Sequence, residues 1–152
     1  MRTSRFATAL VRATLIALPA LFVAGQALAQ TRAKRVAAAD LPSYWVLSAS
    51  ASDALVPNSG KNLDVPVCVS VRYRIGSDGM VRDATLGKVV PESDLGPTAV
   101  KIVSHFQYKP GPSNPSQQAV DTWYTVQFNM RNLPEAEKTR RMAACDLPGY
   151  GR

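Results

Sequence analysis

The chain has 152 residues, with 18 Lys and Arg against 11 Asp and Glu, a formal charge of +7, a single histidine and two cysteines. That length suits one domain with a modest core. One histidine and two widely separated cysteines are too few ligands for a zinc centre.

Arg2, Arg5 and Arg12 precede or open an apolar run from Ala13 to Ala24, and Ala27-Leu28-Ala29 follows. A basic start, a short apolar stretch and an A-x-A site make a secretory signal peptide, with cleavage expected after Ala29. The run is shorter than the roughly 20 apolar residues that cross a bilayer. Residues 1–29 are therefore read as signal peptide and 30–56 as an N-terminal extension. Residues 57–131 are read as the folded domain and 132–152 as a C-terminal helix and tail. Export makes nucleic acid an improbable partner for the basic ends, Arg32-Lys34-Arg35 and Lys138-Arg140-Arg141. In an oxidising compartment Cys68 and Cys145 are expected to pair, two free thiols or an intermolecular bridge being the alternatives.

From Gln30 to about Asp40 there is no apolar periodicity, so this stretch reads as a mobile lead-in. Leu41 to Val56 contains Tyr44, Trp45, Val46 and Leu47 and reads as a short helix or strand. From Val65 to Ile75 every odd position is apolar, while Pro66, Cys68, Ser70, Arg72 and Arg74 occupy the other face of a strand. Ser77-Asp78-Gly79 predicts a hairpin turn, and a second strand follows from about Met80 to Val89 with imperfect alternation. Pro97 suits a first helical turn. Leu95, Ala99, Ile102 and Phe106 share one face of a helix that Pro110-Gly111-Pro112 must end. Alternation returns from Val120 to Met130, with even positions inward and Asp121, Trp123, Thr125, Gln127 and Asn129 on the other face. Pro134 opens a last helix through about Ala144, in which Glu137 and Arg141 are spaced to pair. The expected fold is α+β: a small antiparallel sheet in the order strand-strand-helix-strand, with a helix packed on one face.

Catalytic chemistry is not legible. His105 has no local nucleophile or carboxylate partner and reads as a helix-terminal residue. Glu92 and Asp94 precede a helix, whose positive end favours acids. Gly76-Ser77-Asp78-Gly79 leads into a strand and is not a phosphate loop. No catalytic residue, metal or cofactor is expected.

The ordered set VSVRYRIGSDGMVRDATL, TAVKIVSHFQYKPG and VDTWYTVQFNM resembles the C-terminal domain of TonB, the energy-transducing protein of the Gram-negative envelope. The carrying motifs are Phe106-Gln107-Tyr108-Lys109-Pro110 after the helix and Phe128-Asn129-Met130 at the end of the last strand. The likeness spans roughly Val65 to Arg131. It implies a non-enzymatic periplasmic module that binds the N-terminal box peptide of an outer-membrane transporter, or a segment of a related envelope protein, by strand addition. The family's closing strand is the edge implicated. The resemblance therefore implies contact residues Trp123, Thr125, Gln127 and Asn129, with Tyr124 and Val126 supplying backbone groups. Tyr44 and Trp45 could instead cover Trp123, and residues 30–56 could block the edge. Family domains also exchange strands, which makes a homodimer an alternative use of the same edge. The proline-rich spacer and retained membrane helix of an energy transducer are not recognisable, so binding is expected rather than force transmission. An uncleaved N-terminus would restore the transducer reading, and a different envelope partner is the remaining alternative.

Overall fold

The structure, a computed structural model, describes residues 33–50 and 56–150. The expected signal peptide lies outside these residues. Among them no helix is long and apolar enough to cross a membrane.

The central strand is β3 (Val67–Ile75), flanked by β4 (Val81–Val90) and β6 (Val120–Phe128), both antiparallel to it. This is the expected three-stranded sheet. A two-residue strand, β1 (Lys34–Arg35), adds to β6 in parallel, so the sheet is mixed and its order is β1-β6-β3-β4. The lead-in is thus partly built into the fold. Val36 donates its N–H to the Asp121 carbonyl at 2.9 Å, and its own carbonyl accepts from the Thr122 hydroxyl.

Between β1 and β3 the chain forms a single helical turn, α1 (Leu41–Tyr44), and then β2 (Trp45–Ala49). Both of the alternatives expected for this segment therefore occur, in succession. β2 pairs antiparallel with β5 (Gln107–Pro110) in a separate two-stranded sheet. This corrects the expectation of a helix running on to Pro110, since α2 covers only Gly96–Ser104. The physical reason lies in the motif itself. Phe106 and Tyr108 are buried while Gln107 and Lys109 are exposed, which is the period of a strand rather than of a helix.

The hairpin turn forms where expected. Gly79 has φ +76°, and a Cβ there would run into the Tyr108 carbonyl oxygen, so only glycine fits. Imperfect alternation in β4 has a specific cause. Its register against β3 shifts twice, between Ser70 and Val71 and between Arg72 and Arg74, and Asp83 takes φ +52°. Such bulges change which side chains face inward.

One face of β3 carries the main core: Val67, Val69, Val71, Tyr73 and Ile75, packed with Leu95, Ala99 and Val103 of the α2 region, with Phe106, and with Trp45. The other face is not a solvent face. Cys68 and Ser70 are fully buried there. Cys68 is bonded to Cys145, with Cα atoms 6.2 Å apart, just after α3 (Glu135–Ala143). A small second core of Cys68, Met130 and Cys145, with Val90, Leu133 and Met142 against it, lies beneath. Met130 was expected on the main-core face. Asn129, at φ +56°, turns the chain after β6 and delivers it to the other side. Arg72, nearer the hairpin, is exposed, and Arg74 forms a two-point ion pair with Asp121. That pair holds the Arg74 guanidinium pKa above its usual value.

Candidate peptide-binding edge

β6 keeps an unbroken register with β3 over nine residue pairs, from Ile75 with Val120 to Val67 with Phe128. In a strand the N–H and C=O of one residue point to the same neighbour, and the side alternates along the chain. The Asp121 carbonyl faces β1. Trp123, Thr125 and Gln127 therefore also direct their backbone groups outward, away from β3. Tyr124 and Val126, from which outward backbone groups were expected, direct theirs toward β3 instead. Among the described residues β1 is the strand on this side of β6, and it pairs only with Val120 and Asp121. Residues 33–50 thus cover one end of the edge and leave the stretch from Trp123 onward without a strand partner among the described residues.

Side chains alternate across the sheet plane as well. Tyr124 and Val126 point toward the main-core face. Tyr124 is 40% exposed, and its ring meets the Phe106 ring edge-on, with centroids 5.2 Å apart. Beside the edge on this face is a groove of about 400 Å³, lined by Leu47, Ile102, Phe106, Tyr124 and Val126 together with the polar Ser50, Thr125 and Gln127. Leu47 is itself 40% exposed.

Trp123, Thr125 and Gln127 point to the disulfide face. The Thr125 and Ser70 hydroxyls are 3.0 Å apart, and Ser70 in turn donates to the Cys145 carbonyl. Gln127 is exposed and Trp123 half-buried, with an indole N–H shielded from water that has no hydrogen-bond partner. Trp45 does not cover Trp123. It is 1% exposed in the main core on the opposite face, and its indole donates to the Gln118 carbonyl. Asn129 stands just past the strand, and its amide donates to the Leu63 and Val65 carbonyls. It shapes the approach to β3, whereas the other five candidate residues lie together on β6.

The sheet's opposite edge offers a poorer template. β4 is bulged twice, and charged residues, Arg82, Asp83 and Lys88, are spread along it. Bulges and charges are the devices that discourage pairing at an edge. β6 has no bulge against its partner.

Elsewhere the chemistry is structural. His105 caps α2, its Nδ1 2.7 Å from the Lys101 carbonyl. Asp94 accepts the Lys61 N–H and Glu92 meets the Lys61 ammonium, so these acids clasp the 60–62 loop rather than the helix end. Asp78 accepts the Met80 N–H, chiefly for which its carboxyl pKa falls, and pairs with Arg82. Among the described residues no cluster of three metal-ligating side chains forms. Two residues that sequence reasoning passed over organise the ends of the site. Val36 anchors β1, and buried Asn114 uses its amide on both backbone groups of Gln118, shaping the loop that leads into β6.

Residues 60–130 match the family described as the Gram-negative bacterial TonB protein C-terminal. The matched span runs from the loop before β3 to just past the end of β6. No curated protein and no solved structure matches the chain.

Proposed function

We propose that this protein binds an extended peptide by strand addition along Trp123–Gln127 of β6, a reading supported by the match of residues 60–130 to the TonB C-terminal family, whose domains are periplasmic, non-enzymatic interaction modules. The partner is a segment of an outer-membrane transporter or of another envelope protein. One observation carries the reading: an unbulged strand whose outward backbone groups at Trp123, Thr125 and Gln127 stand next to a groove with Leu47, Ile102 and Phe106 in its walls. Main-chain bonds to such an edge supply affinity, and pockets for alternate side chains supply selectivity. Tyr124 and Val126 then contact ligand side chains on the groove side, while Trp123, Thr125 and Gln127 contact them on the other.

Titration of a transporter box peptide into the isotopically labelled protein tests this. Amide shifts concentrated at Trp123, Thr125 and Gln127 are expected. Gln127→Pro removes one outward N–H without taking a bond from β3, and it should weaken binding at least tenfold while leaving the fold intact. No shift along β6 at millimolar peptide would remove the proposal. The same edge would accept a second copy of this chain, and a mass by light scattering that rises with concentration and falls on adding peptide would reveal that competition.

A further inference from the structure

Helix α3 borders a cleft that takes no residue from β6. Glu137, Arg140, Arg141 and Ala144 fall at i, i+3, i+4 and i+7, so they share one face of the helix and its C-terminal cap. With Val90 and Pro91, at the end of β4, they line a cleft of about 330 Å³. Small-molecule sites run from roughly 300 to 1,000 Å³, so a small ligand is the right scale. Val90 pairs in register with Cys68, and Cys145 follows Ala144. The Cys68–Cys145 bond therefore sets the helix beside the strand and forms the cleft between them. α3 lies beyond the family-matched residues 60–130, and the cleft depends on it.

The charges around this cleft do not cancel. Arg141 donates from Nε and Nη2 to one carboxylate oxygen of Glu137, at 3.0 and 2.8 Å, which makes a neutral pair. Glu92, next to Pro91, is held by the Lys61 ammonium. Arg140 is exposed and has no hydrogen bond or ion pair among the described residues. The carbonyl end of α3 favours both arginines, but only Arg141 is answered by a carboxylate. One guanidinium is thus left over beside the carbon surface of Val90, Pro91 and Ala144.

We propose that this cleft binds a small amphiphilic anion. Its carboxylate meets the planar fork of Arg140 at two points, and a short alkyl or aryl body lies on Val90, Pro91 and Ala144. A head without a body would form only an exposed ion pair, which contributes little. A body without a head would leave the guanidinium unanswered. The bound molecule touches both α3 and β4, so it requires the helix to be seated. By mass action it holds α3 on the sheet and adds a second fastening to the disulfide.

Hexanoate, hexanol and acetate present the whole ligand, the body alone and the head alone. Each is titrated at low salt into the oxidised full chain, followed by the amide signals of Val90 and Ala144 and the Val90 methyl signals. Hexanoate is expected to shift all of these and to bind more tightly than either fragment, by about fivefold or more. It should also slow hydrogen exchange across Glu135–Ala143. Arg140→Gln should abolish the advantage of hexanoate over hexanol. Glu137→Gln, which releases Arg141 from its pair, should tighten hexanoate instead. A merely structural role for these two side chains would not move affinity in opposite directions. Cys68→Ala with Cys145→Ala should weaken hexanoate as the helix loosens. Hexanol binding as tightly as hexanoate, or an Arg140→Gln variant with undiminished affinity, would overturn the anion site. Undiminished affinity in the disulfide-free variant would show that the cleft under α3 is not where hexanoate binds. No shift at tens of millimolar hexanoate would remove the proposal altogether.

Discussion

On one side of β3, Val67, Val69, Val71, Tyr73 and Ile75 lie under α2 and Trp45, in a core continuous from Val36 to Val126. On the other side Cys68 and Ser70 are just as completely buried, yet the cover is a nine-residue helix none of whose own residues is fully buried. The first face holds its cover by apolar area. The second has too little apolar area to do the same. Its small core is stapled by the Cys68–Cys145 disulfide and by the Ser70–Thr125 and Ser70–Cys145 hydrogen bonds. The candidate edge on β6 therefore lies between one permanent face and one conditional face.

The sharpest way to separate the faces is to remove one anchor from each. Trp45→Ala empties the largest fully buried side chain from the first core and should cost about 3–5 kcal/mol by urea unfolding, with both faces lost together. Cys68→Ala with Cys145→Ala should cost somewhat less, about 2–4 kcal/mol, the usual observed cost and below the roughly 4.5 kcal/mol that chain entropy alone gives for so long a loop. Its signature is local: hydrogen exchange should accelerate from Pro134 to Leu147 while α2 and β3 stay protected. If exchange rises equally on both faces, the staple is not confined to the second one and the contrast is wrong.

The same contrast explains what could be read from the residues alone. The odd positions of β3 announce their burial by alternation, and the Ser-Asp-Gly turn announces its hairpin. The disulfide was legible because two cysteines, in a sequence whose start reads as an export signal, leave few alternatives. β1 was not, since two basic residues carry no periodic signal and their pairing with β6 is long-range. Its effect on the site is large, because the Val36–Asp121 bond tells which backbone groups of β6 face outward. β5 was misread because Phe106 satisfies both a helical spacing from Ile102 and a strand spacing to Tyr108; only pairing with β2 decides between them. The setting of α3 was hidden for a similar reason. Glu135, Lys138 and Thr139 look like a solvated helix face until the disulfide sets them beside Gln127.

The smallest effect expected at neutral pH comes from a pair of hydroxyls inside the first core. The Tyr73 and Tyr108 hydroxyls are 2.6 Å apart and buried, and their rings stack with centroids 6.2 Å apart. Burial pushes the Tyr108 pKa up from 10.0 to about 12 and moves Tyr73 in the same direction. Tyr108→Phe should cost only about 1 kcal/mol at pH 7, the net value of one hydrogen bond. A raised folded-state pKa means that the folded form holds the proton more tightly than the unfolded one. Its stabilisation is complete below about pH 10 and is lost as pH rises through 12. The Tm of the native protein should accordingly fall more steeply across that window than the Tm of the Tyr73→Phe, Tyr108→Phe double variant. The Cys68→Ala, Cys145→Ala variant should fall in parallel with the native protein, because the second core contains no tyrosine. A double phenylalanine variant that tracks the native alkaline profile would place the sensitive group outside the first core.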